Sequence, residues 1–213
     1  MRIGFIGDIV GRPGRKIIKD SLKNIKEEYK IDFIIANGEN ASHGFGLTID
    51  SSKELFSSGI DLITGGNHSF DKKKDVQYLH ESGNVLRPDN YPEGVVGSGL
   101  KICDIKVEEK IEKLAVINLM GQFAMPLVEN PFNWATKLIK NLEEQNIKNI
   151  FVDFHGEATS EKRVMLMMFK NRVSAICGTH THVGTDDLQI FENTAYLTDI
   201  GLTGCYDNVI GMD

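Results

Sequence analysis

No stretch of this 213-residue chain approaches the roughly 20 consecutive apolar residues that cross a bilayer. The apolar start, Met1-Arg2-Ile3-Gly4-Phe5-Ile6-Gly7-Asp8, is too short for a signal peptide and meets a charge at once. Both absences point to a cytoplasmic protein with no membrane association. The three cysteines, Cys103, Cys177 and Cys205, are odd in number and widely spaced, with no CxxC pair. They build no disulfide framework and are expected as buried free thiols in a reducing compartment. Positive charge is scarce too: 24 basic residues face 30 acidic ones, a net charge of −6. That argues against wrapping duplex nucleic acid, which needs a basic face. It leaves room for a phosphate-bearing substrate, because bound metal ions supply positive charge locally.

Several catalytic signatures are missing as well. Gly7, Gly11 and Gly14 follow a candidate strand, but their spacing fits neither GxGxxG nor GxxxxGK[ST]. There is no HExxH and no GxSxG, so serine-nucleophile chemistry has no candidate constellation.

What is present is an ordinary globular composition, 41% hydrophobic and 25% charged, of a length that suits one domain over residues 1–213. Residues 2–8 read as a buried strand, followed by a helix with Ile17, Ile18, Leu22 and Ile25 at helical spacing. Further strands are predicted at 31–37 and 61–64, with a helix capped by Thr48 between them and another helix over 72–81. Residues 94–104 and 113–119 look like strands. An amphipathic helix over 131–145 and a strand at 149–154 follow. The apolar run 164–169 marks a helix, and strands are expected at 173–177, 188–191 and 195–198. This rhythm predicts an α/β fold with a sheet that is at least partly parallel.

Asp8, Glu39, Asn40, Asn67, His68, His155, His180 and His182 all lie where a predicted strand gives way to a loop. In open α/β sheets that edge is where ligands bind. Residues taken singly have ordinary alternatives: Asp8 as a helix cap, Asn67 as a turn former, His155 as a hydrogen-bonded or solvent-exposed histidine. Five strand ends delivering ligand-type side chains to one edge are harder to explain separately. His180 and His182 are the sharpest local pair, since in extended backbone residues i and i+2 face the same way. His80, among charged residues on a predicted helix, reads as a surface residue. His43 lies in the loop behind Asn40, either lining the mouth of the site or exposed to solvent.

The segments Gly7-Asp8, Gly38-Glu39-Asn40, Gly66-Asn67-His68, His155 and Gly178-Thr179-His180-Thr181-His182 resemble the pattern of the calcineurin-like metallophosphoesterases. Val10 stands where that pattern has a ligand histidine, and Glu39 where it has a bridging aspartate. With Gly11-Arg12-Pro13-Gly14 and Glu157-Ala158-Thr159-Ser160-Glu161-Lys162, these departures are similar to the YmdB-like phosphodiesterase branch over nearly the whole chain. Members of that branch usually continue several dozen residues further, so the resemblance implies a chain lacking its C-terminal portion.

The resemblance further implies a layered sandwich of mixed β-sheets flanked by helices, and two metal ions, iron or manganese, with zinc compatible with the mixed oxygen and nitrogen donors. One metal would be held by Asp8, Asn40 and His182 and the other by Asn67, His155 and His180, with Glu39 between them. His68 would be the general acid. The implied reaction is attack of a metal-bridging hydroxide on a small phosphodiester such as a 2′,3′-cyclic nucleotide, in a homo-oligomer. Two other readings stand beside it: a non-catalytic regulator that binds metal and nucleotide at the same site, and a mononuclear hydrolase acting on amides.

Overall fold

The computed structural model describes residues 1–211. A strand with apolar residues at successive positions needs cover on both faces. β3 (Phe33–Asn37), β6 (Lys110–Met120) and β7 (Asn149–His155) meet that need, because successive side chains enter different cores. Ile34 and Ala36 of β3 join Ile18 and Leu22 of α1 (Gly11–Glu28), Leu55 of α2 (Ile49–Ser57) and Leu79 of α3 (Val76–Glu81). Ile35, between them, faces the other way and packs with Leu62, Leu114, Val116 and Phe151. On the far side, Ala115, Ile117 and Leu119 of β6 and Ile150, Val152 and Phe154 of β7 meet α4 (Pro131–Glu144) and α5 (Thr159–Phe169).

Three clusters therefore separate four layers: helices, sheet, sheet, helices. The first sheet is parallel, β1 (Ile3–Ile6), β3 and β4 (Leu62–Thr64) in the order β1-β3-β4. The second sheet is mixed and runs β5-β6-β7-β8-β10-β9, with β5 at Leu100–Val107, β8 at Ala175–Thr179, β9 at Gln189–Phe191 and β10 at Thr194–Leu197. The expected layered sandwich of mixed sheets flanked by helices is the architecture observed.

Local signals worked where side-chain chemistry decides. Thr48 accepts a hydrogen bond from Ser51 N at the start of α2, and Asn130 caps α4 just ahead of Pro131. Other boundaries moved. The strand expected over 2–8 is two strands, because the chain changes partner at Gly7. Ile3–Ile6 pairs with β3, whereas β2 (Asp8–Ile9) pairs with β11 (Leu202–Thr203). A Cβ at Gly7 would sit 2.0 Å from Gly201 O, so only glycine fits at the switch. The helix expected over 72–81 begins at Val76. The segment before it forms turns, held by Asp71 N donating to His68 O and by Asp75 N donating to Lys72 O. The strand expected from residue 94 starts at Leu100 and forms a hairpin with β6.

Two burial expectations are corrected. His80 is 5% exposed rather than a surface residue. Its ring packs against Phe70 and lies 3.3 Å from both Val85 O and Ser69 O, and burial pulls its pKa below the ordinary histidine value. Of the thiols, Cys103 is buried, Cys177 is half-buried and Cys205 is exposed.

Candidate metal centre

The layer between the two sheets changes character toward the C-terminal ends of the strands. Along β3, β4, β6, β7 and β8 the inward positions pass from apolar residues to Asn37, Thr64, Asn118, Asp153 and Thr179, all buried. Asp153 is the hub. Its Oδ2 accepts from Thr64 Oγ1 (2.5 Å) and Asn37 Nδ2 (3.1 Å), and its Oδ1 accepts from Thr179 Oγ1 (2.7 Å). Burial, only partly offset by these donors, raises its pKa. Because the Thr179 proton is committed to Asp153, Thr179 Oγ1 accepts from His155 Nδ1–H at 2.9 Å. A buried carboxylate thus orients a histidine through a hydroxyl.

One step further out, the strand-end residues converge. His155 Nε2 lies 2.9 Å from Asn67 Oδ1 and 3.0 Å from Glu39 Oε1. Both oxygens are acceptors, so without a metal ion the ring holds its second proton there. Glu39 Oε2 accepts from His68 N (2.9 Å), and Glu39 Oε1 accepts from Asn40 Nδ2 (3.3 Å). Asn40 Nδ2 also lies 3.0 Å from His182 Nε2. His182 Nδ1–H donates to Ile210 O at 2.6 Å, which fixes the tautomer and leaves the lone pair on Nε2. Asp8 Oδ2 accepts from His180 N (3.1 Å), and Asp8 Oδ1 faces His182 Nε2 at 3.7 Å. Gly66 passes so close that a Cβ would lie 2.3 Å from Glu39 Oε2 and 2.4 Å from His155 Nε2.

Asp8 is not a helix cap, since Val10 holds the cap position ahead of α1 and no side chain caps it. His180 and His182 are not in extended backbone. Their φ angles are 103° and 62°, so the expected i, i+2 alternation does not apply. A left-handed turn sends them apart instead: His180 toward Glu157 and the His155 ring, His182 toward Asp8 and Asn40. His43 is exposed, also with positive φ (61°), and is not part of the cluster. His68 stands at the rim, its Nδ1–H donating to Asp71 Oδ2 at 2.7 Å.

Burial and mutual charge set the protonation states. Burial raises Asp8 to about 6, against the pull of His155. Burial also disfavours the charges of Glu39 and His155, yet each holds the other ionised, Glu39 at about 2 and His155 at about 9. Burial and the adjacent His155 charge push His180 down to about 4, and its Nε2 lies 3.1 Å from Glu157 Oε2.

Glu39, His155 and His180 bring ligand-type atoms within 4.8 Å of one another, a spacing able to hold a metal ion. Among the described residues, the buried side-chain atoms left without a hydrogen-bond partner are Asp8 Oδ1 and Asn40 Oδ1. Buried polar atoms are rarely left unsatisfied, and here both orphans are oxygens in the same cluster. The donor set fits a divalent cation beside them.

Asp153, Asp71 and Asp199 carry no signal in the motifs, and Thr179, Glu157 and Lys162 lie in the segments of the resemblance without a role legible from sequence. Lys162 and Asp199 are each 1% exposed and form a 2.6 Å ion pair, and Asp199 Oδ2 also accepts from Thr181 N in the histidine loop. A readable signal existed for Asp153, a charge inside the otherwise apolar Ile150-Phe151-Val152-Asp153-Phe154 run.

A family model described as YmdB-like protein matches residues 5–213. A 2′,3′-cyclic-nucleotide 2′-phosphodiesterase from Bacillus subtilis is 47% identical over 214 residues, covering all of this chain and 79% of the relative. The crystal structure of a hypothetical protein from Thermus thermophilus superposes with a TM-score of 0.90 at 40% identity, covering 99% of this chain and 80% of that one. A 5′-nucleotidase from Candida albicans shares the fold at 14% identity, with a TM-score of 0.60 over 96% of this chain and 45% of that one.

Proposed function

Since this chain belongs to the family of YmdB-like proteins, we propose that it is a binuclear-metal phosphodiesterase hydrolysing small phosphodiesters, 2′,3′-cyclic nucleotides among them. The observation that carries the metal assignment is the pair of orphaned buried oxygens, Asp8 Oδ1 and Asn40 Oδ1, beside His182, whose Nε2 lone pair faces the same cluster. Asp8, Asn40 and His182 would hold one ion, and Asn67, His155 and His180 the other, with Glu39 shared between them. Two divalent ions, iron or manganese by family resemblance, supply Lewis-acid polarisation of the phosphoryl group and activation of water at neutral pH.

The chain's own residues do the rest. Only Asp8 and Glu39 of the seven ligands carry negative charge, so a loaded site keeps a surplus of about two positive charges that draws an anionic ester into an acidic protein. The Asp153–Thr179 relay holds the His155 ring in place. Asp71 holds Nδ1–H of His68 and leaves Nε2 as the atom that passes a proton to the departing oxygen. The loop carrying His180 and His182 is tied down from below by the Lys162–Asp199 pair.

Elemental analysis of the purified chain, together with hydrolysis of 2′,3′-cyclic AMP and bis-p-nitrophenyl phosphate with added Mn²⁺, tests the proposal. Two metal ions per chain and turnover of both esters are expected. One ion per chain, or two with neither ester turned over, would refute it; nucleotide binding without turnover would instead describe a regulator.

A further inference from the structure

Near the cluster, one feature has no part in holding metal. The loop after Asn40 turns through three residues with positive φ: His43 (φ 61°), Gly44 (φ 82°) and, beyond Phe45, Gly46 (φ 74°). It is closed by Ser42 N donating to Gly46 O at 3.0 Å, and its base is pinned where Ser42 Oγ meets Ser51 Oγ (2.8 Å) and Thr48 N (3.0 Å). Such a loop is built to hold its tip in one place, and the tip is an aromatic ring 45% exposed to solvent. A single exposed aromatic is ordinary on a protein surface. This one lies with its ring centroid 6.4 Å from that of His68, tilted by 55°. Lys72 Nζ sits 3.8 Å from the Phe45 centroid, and Lys72 forms no ion pair among the described residues.

We propose that Phe45 is the stacking platform for the nucleobase of the substrate, with Lys72 over one face of a ring that is 45% exposed. The inference rests on the phosphodiesterase reading above. In a 2′,3′-cyclic nucleotide the base lies one ribose away from the phosphorus, so an ester seated beside His68 carries its base to the neighbouring surface, which is Phe45. An anchored ring loses little freedom on stacking, and every base presents a π-face, so the platform is tolerant of base identity. The cation over the far face adds an attraction that holds the ring flat.

The test uses the metal-replete full chain as wild type, Phe45→Leu and Phe45→Trp. Steady-state kinetics compare 2′,3′-cyclic AMP with glycerol 1,2-cyclic phosphate, which has the same ester ring and no base. Stacking on an aromatic side chain contributes about 1–3 kcal/mol per base, which is roughly 5- to 150-fold. Phe45→Leu should therefore lower the ratio of kcat/KM values, nucleotide over glycerol ester, by about that factor. The change should come mainly through KM, metal content should be unaltered, and Phe45→Trp should restore the ratio. An unchanged ratio in Phe45→Leu overturns the proposal. Calorimetric titration with adenosine 3′-monophosphate and with glycerol 2-phosphate separates this failure from failure of the phosphodiesterase reading. If wild type turns over neither ester, weaker binding of the nucleotide alone in Phe45→Leu still supports the platform, and equal weakening of both ligands refutes it.

Discussion

Thr179 has a single hydroxyl that serves two buried partners, and replacing it with valine tests whether that relay positions the site. Thr179→Val keeps the volume and removes the group that donates to Asp153 Oδ1 at 2.7 Å and accepts from His155 Nδ1 at 2.9 Å. Asp153 retains Thr64 and Asn37, so the carboxylate remains partly satisfied, while His155 Nδ1–H has no acceptor left. Each buried group left unmet costs about 1–3 kcal/mol, more when charged, so a loss of about 2–5 kcal/mol is expected. Urea unfolding of metal-free protein should show it as a midpoint shift of about 1–2 M, taking a slope of about 2–3 kcal/mol/M for a chain of this size. Separately, a histidine freed from its orienting partner should bind metal about 10–100-fold more weakly, read by Mn²⁺ titration at constant pH. Thr179→Ser keeps the hydroxyl and should recover most of both losses. If Thr179→Val unfolds within about 0.5 kcal/mol of wild type and binds metal as tightly, the relay does not position His155.

Three other outcomes follow from named contacts. His68→Ala should retain both metal ions and lose about 10²–10⁴-fold in kcat on an ester with a poor leaving group; undiminished turnover removes His68 from the acid role. Lys162→Met leaves Asp199 buried without its cation and should destabilise by about 3–5 kcal/mol in urea unfolding. Adding Asp199→Leu to it should recover part of that loss, and a double variant weaker than Lys162→Met would contradict an ion-pair origin. His80 is kept neutral by burial, with its folded pKa below the unfolded value of about 6.5. Its contribution is therefore present above pH 6.5 and is lost as pH falls through the folded pKa. Unfolding free energies at pH 7.5 and 5 should fall more steeply for wild type than for His80→Gln, and equal slopes would show that His80 does not titrate against folding.

The residues of the candidate site were legible because metal-ligand types recur at the ends of strands, and strand ends can be read from hydrophobic runs. All seven proposed ligands come together at one edge, although nothing in their spacing foretold which faces which. His180 and His182 show the limit. The sequence suggests an extended pair, but both adopt positive φ, set by the contacts of Asp8 Oδ2 with His180 N and of Ile210 O with His182 Nδ1. Those partners are 172 and 28 residues away, beyond the reach of any local pattern. His80 misled for a related reason. Glu81 beside it and the Lys72-Lys73-Lys74-Asp75 run before its helix suggest a solvent face, whereas its burial comes from Phe70 and the backbone around Val85. The helix boundary near 72 shifted because turns, closed by His68 O and Lys72 O, took up the segment before Val76.

Asp153 is the more instructive omission, because its position follows from the same alternation that built the core. Phe151, Asp153 and His155 share the inward face of β7, so the strand passes from apolar filling to carboxylate to ligand within five residues. The price of that arrangement is charge without water: Asp8, Glu39 and Asp153 are each no more than 2% exposed, and His155 supplies one compensating cation near neutral pH. An uncompensated buried charge costs several kcal/mol. Near neutral pH Asp8 and Glu39 therefore set two negative charges against the one positive charge of His155, a negative excess between the sheets. Cations at the orphaned oxygens of Asp8 and Asn40 would neutralise it, and binding to the folded state alone raises stability in proportion to ligand saturation. On the proposed two-metal reading, the buried carboxylates that would hold cations are the ones that burial penalises, so metal loading and folding would be linked.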